Sequence, residues 1–168
     1  ELQKSRDDAK REYLKVAKGL SQQRKKCGSN LTVKLMKLLS ELAMENTKCD
    51  FQFEENDSLE KDWSARGFDV GELYLSPNAG EALRPLAKIA SGGELSRVML
   101  ALKTLASADA HGKTLIFDEV DSGIGGRVAD VVGERLQEIG ERFQVLCVTH
   151  LPQIAVYGAA HYEISKKV

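Results

Sequence analysis

The spacing of apolar positions changes several times along the chain, and each spacing predicts a different element. Residues 1–27 are rich in Lys, Arg, Glu, Gln and Ala, with no Pro and one Gly, which predicts a helix. Within it Leu2, Ala9 and Val16 recur every seven residues, as do Tyr13, Leu20 and Cys27. That repeat approximates the a/d seam of a coiled coil. Arg6 and Gln23 fall on seam positions, so an ordinary amphipathic surface helix is the competing reading. Gly28-Ser29-Asn30 predicts a break with capping oxygens for a second helix. The apolar face of that helix is Leu31, Leu35, Leu38, Leu39 and Leu42, running to about Met44.

Beyond it the period shortens to two. Residues 49–54 alternate, and so do 68–75 through Phe68, Val70, Leu73 and Leu75, which predicts two strands. The polar stretch 57–67 joins them as a hairpin loop, with Trp63 as a packed anchor, and Ser76-Pro77-Asn78-Ala79-Gly80 is a turn. An apolar helical segment follows residue 93 through Val98, Leu100, Ala101 and Leu102. Thr114-Leu115-Ile116-Phe117 is a short apolar run, suited to a strand buried on both faces of a parallel sheet. Residues 127–139 carry Val128, Val131, Val132, Leu136 and Ile139 on one helical face, and Gly140 ends that helix. Residues 143–149 form a second buried strand, and 161–165 a final one. Strand, helix, strand is a crossover unit, so the two buried strands lie parallel with their carboxyl ends at one crevice.

Length and composition narrow the class. The 168 residues allow one α/β domain with an appendage, and the formal net charge of −1 does not announce a nucleic-acid binder. Residues 1–26 nevertheless hold nine Lys/Arg against four Asp/Glu. A solvated coiled-coil face explains them more simply than DNA contact does. Three widely spaced cysteines (Cys27, Cys49, Cys147) give neither a disulfide framework nor a zinc site and fit a reducing cytosol. No apolar run reaches the roughly 20 residues of a membrane span, and no signal peptide opens the chain. The start at Glu1, inside a helical pattern and without Met, reads as a piece of something longer.

Candidate chemistry gathers at two places. Asp118 and Glu119 end the first buried strand, where open α/β sheets bind their ligands. Ser91-Gly92-Gly93-Glu94 opens the apolar helix, and unpaired N–H groups at such a start suit an anion. Taken singly, each has a bland reading: two solvent-facing acids, and a Ser cap with a flexible joint. Gly112-Lys113-Thr114 imitates the tail of a phosphate-binding loop, but Ser107 stands where that motif needs Gly, and a strand follows instead of a helix. It reads as a turn. His150 ends the second buried strand on the same edge as the two acids, which favours a phosphate contact over a structural role.

In order along the chain, Ser91-Gly92-Gly93-Glu94, Ile116-Phe117-Asp118-Glu119, Val120-Asp121-Ser122-Gly123 and Thr149-His150 resemble the C-terminal half of an ABC-type ATPase head: signature motif, Walker B, D-loop and switch histidine. The Pro of the transporters' E-P-T-S is absent after Glu119. Glu119-Val120-Asp121 is similar to the SMC branch instead. The runs 89–103, 121–126 and 149–155 resemble the RecN family of SMC-like ATPases of bacterial double-strand-break repair and recombination. The resemblance implies an ABC-head C-terminal lobe over 29–168, a mostly parallel sheet flanked by helices, and a coiled-coil stub over 1–28. It implies Mg²⁺ on Asp118, water polarisation by Glu119, and a γ-phosphate contact by His150. Ser91, Gly92, Gly93 and Glu94 would bind the ATP of a second head, with Asp121 bridging the two.

The family's P-loop and Q-loop belong to an N-terminal lobe that these residues do not include, so the expectation is half a site, inactive alone. Implied partners are that missing lobe, a second head joined through ATP, and DNA, in a cytoplasmic, nucleoid-associated protein away from membranes. The alternatives are another SMC or Rad50-like head and a non-catalytic coiled-coil or DNA interaction module.

Overall fold

The computed structural model describes residues 1–56, 60–89, 92–106 and 113–165. Helix α1 runs from Leu2 to Glu41 as one 40-residue element, straight through residues 28–30, where the sequence predicts a break. Gly28 is buried, and a Cβ there would lie 3.1 Å from Phe53 Cε2 and 3.2 Å from Phe51 Cβ. The glycine therefore permits a close approach and does not end the helix. Its neighbours turn their hydroxyls back on the same helix, Ser29 donating to the Lys25 carbonyl and Thr32 to the Ser29 carbonyl. The heptad pattern divides in an unexpected way. Leu2, Ala9 and Val16 are exposed, while Tyr13 and Leu20 are half-buried beside the buried Ala17 and Ser21.

What buries that face is a hairpin. Strands β1 (Lys48–Glu55) and β2 (Asp69–Ser76) pair antiparallel with Phe51 opposite Leu73, and the short β3 (Arg84–Pro85) adds to β2. The hairpin lies along α1 and is tied to it at several levels. Trp63 stacks on Tyr13 with ring centroids 4.6 Å apart, and the Tyr13 hydroxyl donates to the Ser64 carbonyl at 3.1 Å. Arg6 and Lys10 pair with Glu60, Arg24 with the buried Asp69, and Lys25 with Glu55. Trp63 is thus the packed anchor its setting predicted. Of the loop before it, 57–59 lies outside the described residues.

The core forms where the end of α1 meets the rest. Leu35, Leu39 and Leu42 pack with Leu75 of β2, with Val98, Leu100 and Ala101 of α2 (Gly92–Leu105), and with Val132, Leu136 and Ile139 of α3 (Gly126–Gly140). Each of these Leu, Ile and Val side chains contributes about 1.5–3 kcal/mol when fully buried. Strand β4 (Thr114–Phe117) pairs in parallel with β5 (Gln144–Cys147), Phe117 opposite Cys147, as the crossover required. Among the described residues, cover is present on one face only. Phe117 is buried, whereas Ile116 is 70% and Val148 62% exposed, with Leu146 also open. The expectation of burial on both faces fails because a run of apolar residues cannot state whether its own chain supplies both covers.

A single turn, α4 (Pro152–Ala155), follows, and Tyr157 beyond it fills the space over Gly133 of α3. Residues 161–165 form no strand, and Tyr162 and Ile164 are exposed, since no neighbour among the described residues offers them a ladder. The turn read at Gly112-Lys113 has its glycine outside the described residues. Among the described residues no helix is long and apolar enough to cross a membrane.

Candidate active site

The parallel pair delivers two loops side by side. The Val148 N–H donates to the Phe117 carbonyl at 2.9 Å, so the ladder persists to the strand ends. Asp118, Glu119 and Asp121 leave β4 there, and Thr149 and His150 leave β5. With Val148 these residues line a cavity of about 220 Å³. Four of the residues singled out from sequence, Asp118, Glu119, Asp121 and His150, therefore share one small space.

Each is held differently. Asp118 is exposed and its Oδ1 accepts the Glu119 backbone N–H at 3.0 Å. Glu119 adopts φ of 56°, in the left-handed region that is costly for a side chain bearing a Cβ. The turn it opens closes when the Ser122 N–H donates to the Glu119 carbonyl at 3.0 Å. Asp121 is buried, and its Oδ2 accepts two hydrogen bonds, from the Thr149 hydroxyl at 2.6 Å and the His150 backbone N–H at 3.0 Å, while Nδ1 of the His150 ring lies 3.1 Å away. Burial alone would push the Asp121 carboxyl up, but the bonds from Thr149 and His150 outweigh it and hold the group below the usual carboxylate range. The His150 ring itself is 77% exposed.

Helix α2 borders the same loop. Gly92 is exposed, and the Glu119 carboxylate lies in the space a Cβ on Gly92 would take. Gly93 is buried, where a Cβ would meet Ser122 Cβ at 2.8 Å and the Glu119 carbonyl at 3.1 Å. Glu94 stands in the first turn, while Ser91 lies outside the described residues. The glycine pair thus has a packing role within its own chain: it lets the helix start touch the loop that carries the acids.

Three further residues complete this junction. The Ser96 hydroxyl donates to the Asp118 carbonyl at 2.6 Å, and buried Arg97 donates from one guanidinium nitrogen to the carbonyls of Ser122 at 2.8 Å and Val120 at 3.4 Å. Burial pulls the Arg97 guanidinium below its usual value against the pull of Glu94, yet an arginine keeps its charge at any such value. Thr149 bridges, donating to Asp121 while accepting the Leu151 N–H at 3.1 Å. Sequence reasoning assigned none of these three a role. The available signal was a lone arginine at the point where the helix turns apolar.

This arrangement belongs to a known fold. The chain is similar to a Smc head domain with a coiled coil and joint from Pyrococcus yayanosii, with a TM-score of 0.50 at 14% identity over 77% of this chain and 23% of that one. Its fold is that of part of an SMC-type head domain. Sequence comparison goes further. The chain is 46% identical over 144 residues to DNA repair protein RecN of Halalkalibacterium halodurans and 46% over 151 residues to that of Haemophilus influenzae, covering 86% and 90% of its own length. Over the segment it spans, the chain belongs to the RecN family, as a C-terminal head piece. It spans 26% of the length of those curated relatives. No family model matches it.

Proposed function

We propose that this chain supplies half of a composite ATPase site in an SMC-like DNA repair protein acting in double-strand-break repair and recombination. The supporting observation is the convergence of Asp118, Glu119 and His150 on one cavity at the carboxyl ends of β4 and β5. The chain divides into a coiled-coil stub over 1–28 and a head lobe over 29–168.

The donor set suits Mg²⁺·ATP. Among the described residues no three side chains cluster as a metal cage, and Mg²⁺ at a nucleotide needs none, taking one or two carboxylates with waters and phosphates. Asp118, its Oδ1 already engaged by the Glu119 N–H, is that carboxylate. When bound, Mg²⁺·ATP supplies the bond to be broken and most of the neutralising charge. Glu119 accepts a hydrogen from the attacking water and orients its oxygen, and His150 contacts the γ-phosphate. Gly92, Gly93 and Glu94 at the start of α2, with Ser91 before them in sequence, meet the phosphate of nucleotide held by a second head, and Asp121 bridges the two heads. ATP is then the joint between heads, and hydrolysis releases them.

The phosphate-binding loop of such a site belongs to an N-terminal lobe, for which the open face of Ile116, Leu146 and Val148 is the natural seat. DNA is a partner of the whole protein, which is cytoplasmic and nucleoid-associated. Alone, this chain neither binds ATP tightly nor turns it over.

The test is ATP turnover by the chain alone and mixed with the N-terminal lobe of its parent protein. Turnover is expected only in the mixture, where Glu119→Gln lowers it about 10²–10⁴-fold while ATP-dependent association persists. Turnover by the chain alone, abolished by the same substitution, overturns the half-site reading.

A further inference from the structure

The buried Asp121 carboxylate spends one oxygen on Thr149 and on His150 twice, at the backbone and at the ring. A residue whose only task is to reach another subunit has no need of such an internal network. We infer that Asp121 is a positioning residue for His150 within its own chain, a role that rests on the nucleotide reading of the site and deepens it.

The reasoning starts from donors and acceptors. An ionised carboxylate only accepts, and the bonds at Asp121 favour its ionised form. With Nδ1 at 3.1 Å from Oδ2, the ring hydrogen belongs on Nδ1. Nε2 is then the free corner of the imidazole, and the ring stands at the wall of the cavity shared with Asp118 and Glu119. The ring is largely exposed, so packing does not fix its rotation. Asp121 does: its carboxylate accepts the His150 backbone N–H and lies 3.1 Å from ring Nδ1, and the Thr149 hydroxyl keeps it from turning away. The other carboxylates at this cavity are Asp118 and Glu119.

The tautomer is read directly from imidazole ¹⁵N shifts of the 168-residue chain, which has three histidines, with His150→Ala assigning the signal. The expected spectrum puts the hydrogen on Nδ1 in the native chain. It stays there in Asp121→Asn, whose carbonyl still accepts, and moves to a mixture dominated by Nε2–H in Asp121→Ala. In the mixture with the N-terminal lobe, Asp121→Ala lowers kcat about 10–100-fold with less than a threefold change in KM, and Asp121→Asn falls between it and the native chain. A native ring with its hydrogen on Nε2 overturns the inference, and so does an unchanged tautomer in Asp121→Ala. Should Asp121→Ala not fold, the native and Asn spectra still decide. Full turnover in Asp121→Ala beside impaired His150→Ala removes the positioning role alone. Unimpaired His150→Ala removes the nucleotide reading of His150 itself.

Discussion

Two regions of this molecule treat their polar groups in opposite ways. Along the arm formed by α1 and the β1–β2 hairpin, charges find partners inside the chain: Glu60 takes Arg6 and Lys10, Asp69 takes Arg24, and Glu55 takes Lys25. At the ends of β4 and β5, Asp118 and Glu119 are exposed, and the strands that carry them show an uncovered apolar face. The arm pairs these charges within the chain; the two acids of the site stand open to solvent. A region that satisfies itself acts as a support, whereas one that leaves acids and apolar area open is shaped for something still to arrive.

The comparison can be broken first at the arm. Surface ion pairs there contribute little one by one, so the aromatic clip is the critical tie. Trp63→Ala removes the ring stacked on Tyr13, over which Lys10 lies at 5.9 Å. Trp63 is half-buried, so the cost is set at about 2 kcal/mol, below that of a core tryptophan. Urea unfolding measures it, and hydrogen exchange should show lost protection around Tyr13 and Ser64 first. A change under about 0.5 kcal/mol would mean the arm is held by its charges after all.

The site gives a smaller effect of the opposite sign. Glu119 keeps a left-handed backbone that costs a residue of its kind about 1 kcal/mol, and asparagine tolerates that conformation better. Glu119→Asn should stabilise the chain by about 1 kcal/mol, raising Tm by about 2–4 °C, while ending turnover in the reconstituted mixture. A lowered Tm would show that the carboxylate over Gly92 stabilises the loop more than its backbone strains it.

The same division governs what could be read from sequence. Strand ends, the start of α2 and the parallel pairing were legible because each rests on local pattern: an apolar run, paired glycines, a crossover of the right length. Trp63 was legible for the same reason, as a large apolar residue in a polar loop. The passage of α1 through Gly28 was not, since that glycine serves Phe51 and Phe53 on a distant hairpin. Ser96, Arg97 and Thr149 were invisible too, because their partners are backbone carbonyls and a carboxylate more than twenty residues away. Asp121 was legible as a motif member but not in its contacts. Local pattern announces where chemistry can sit; long-range hydrogen bonding decides how it is aimed.

The smallest expected effect on stability is also the one that sharpens the comparison most. Ile116 stands on β4 beside buried Phe117 yet is 70% exposed, so within this chain its side chain contributes little. Ile116→Thr keeps the β-branched shape and strand preference, and the isolated chain should unfold within about 0.5 kcal/mol of the native one. If the open face seats the N-terminal lobe, the same change removes about 1.5 kcal/mol of apolar burial from that contact. Association should then weaken about tenfold, measured by titrating the lobe into the labelled chain. Unchanged association would leave the face uncommitted and move the lobe's seat elsewhere on the molecule. A loss of more than 1 kcal/mol in the isolated chain would mean that Ile116 already has a partner within it, and that the site end is as self-sufficient as the arm.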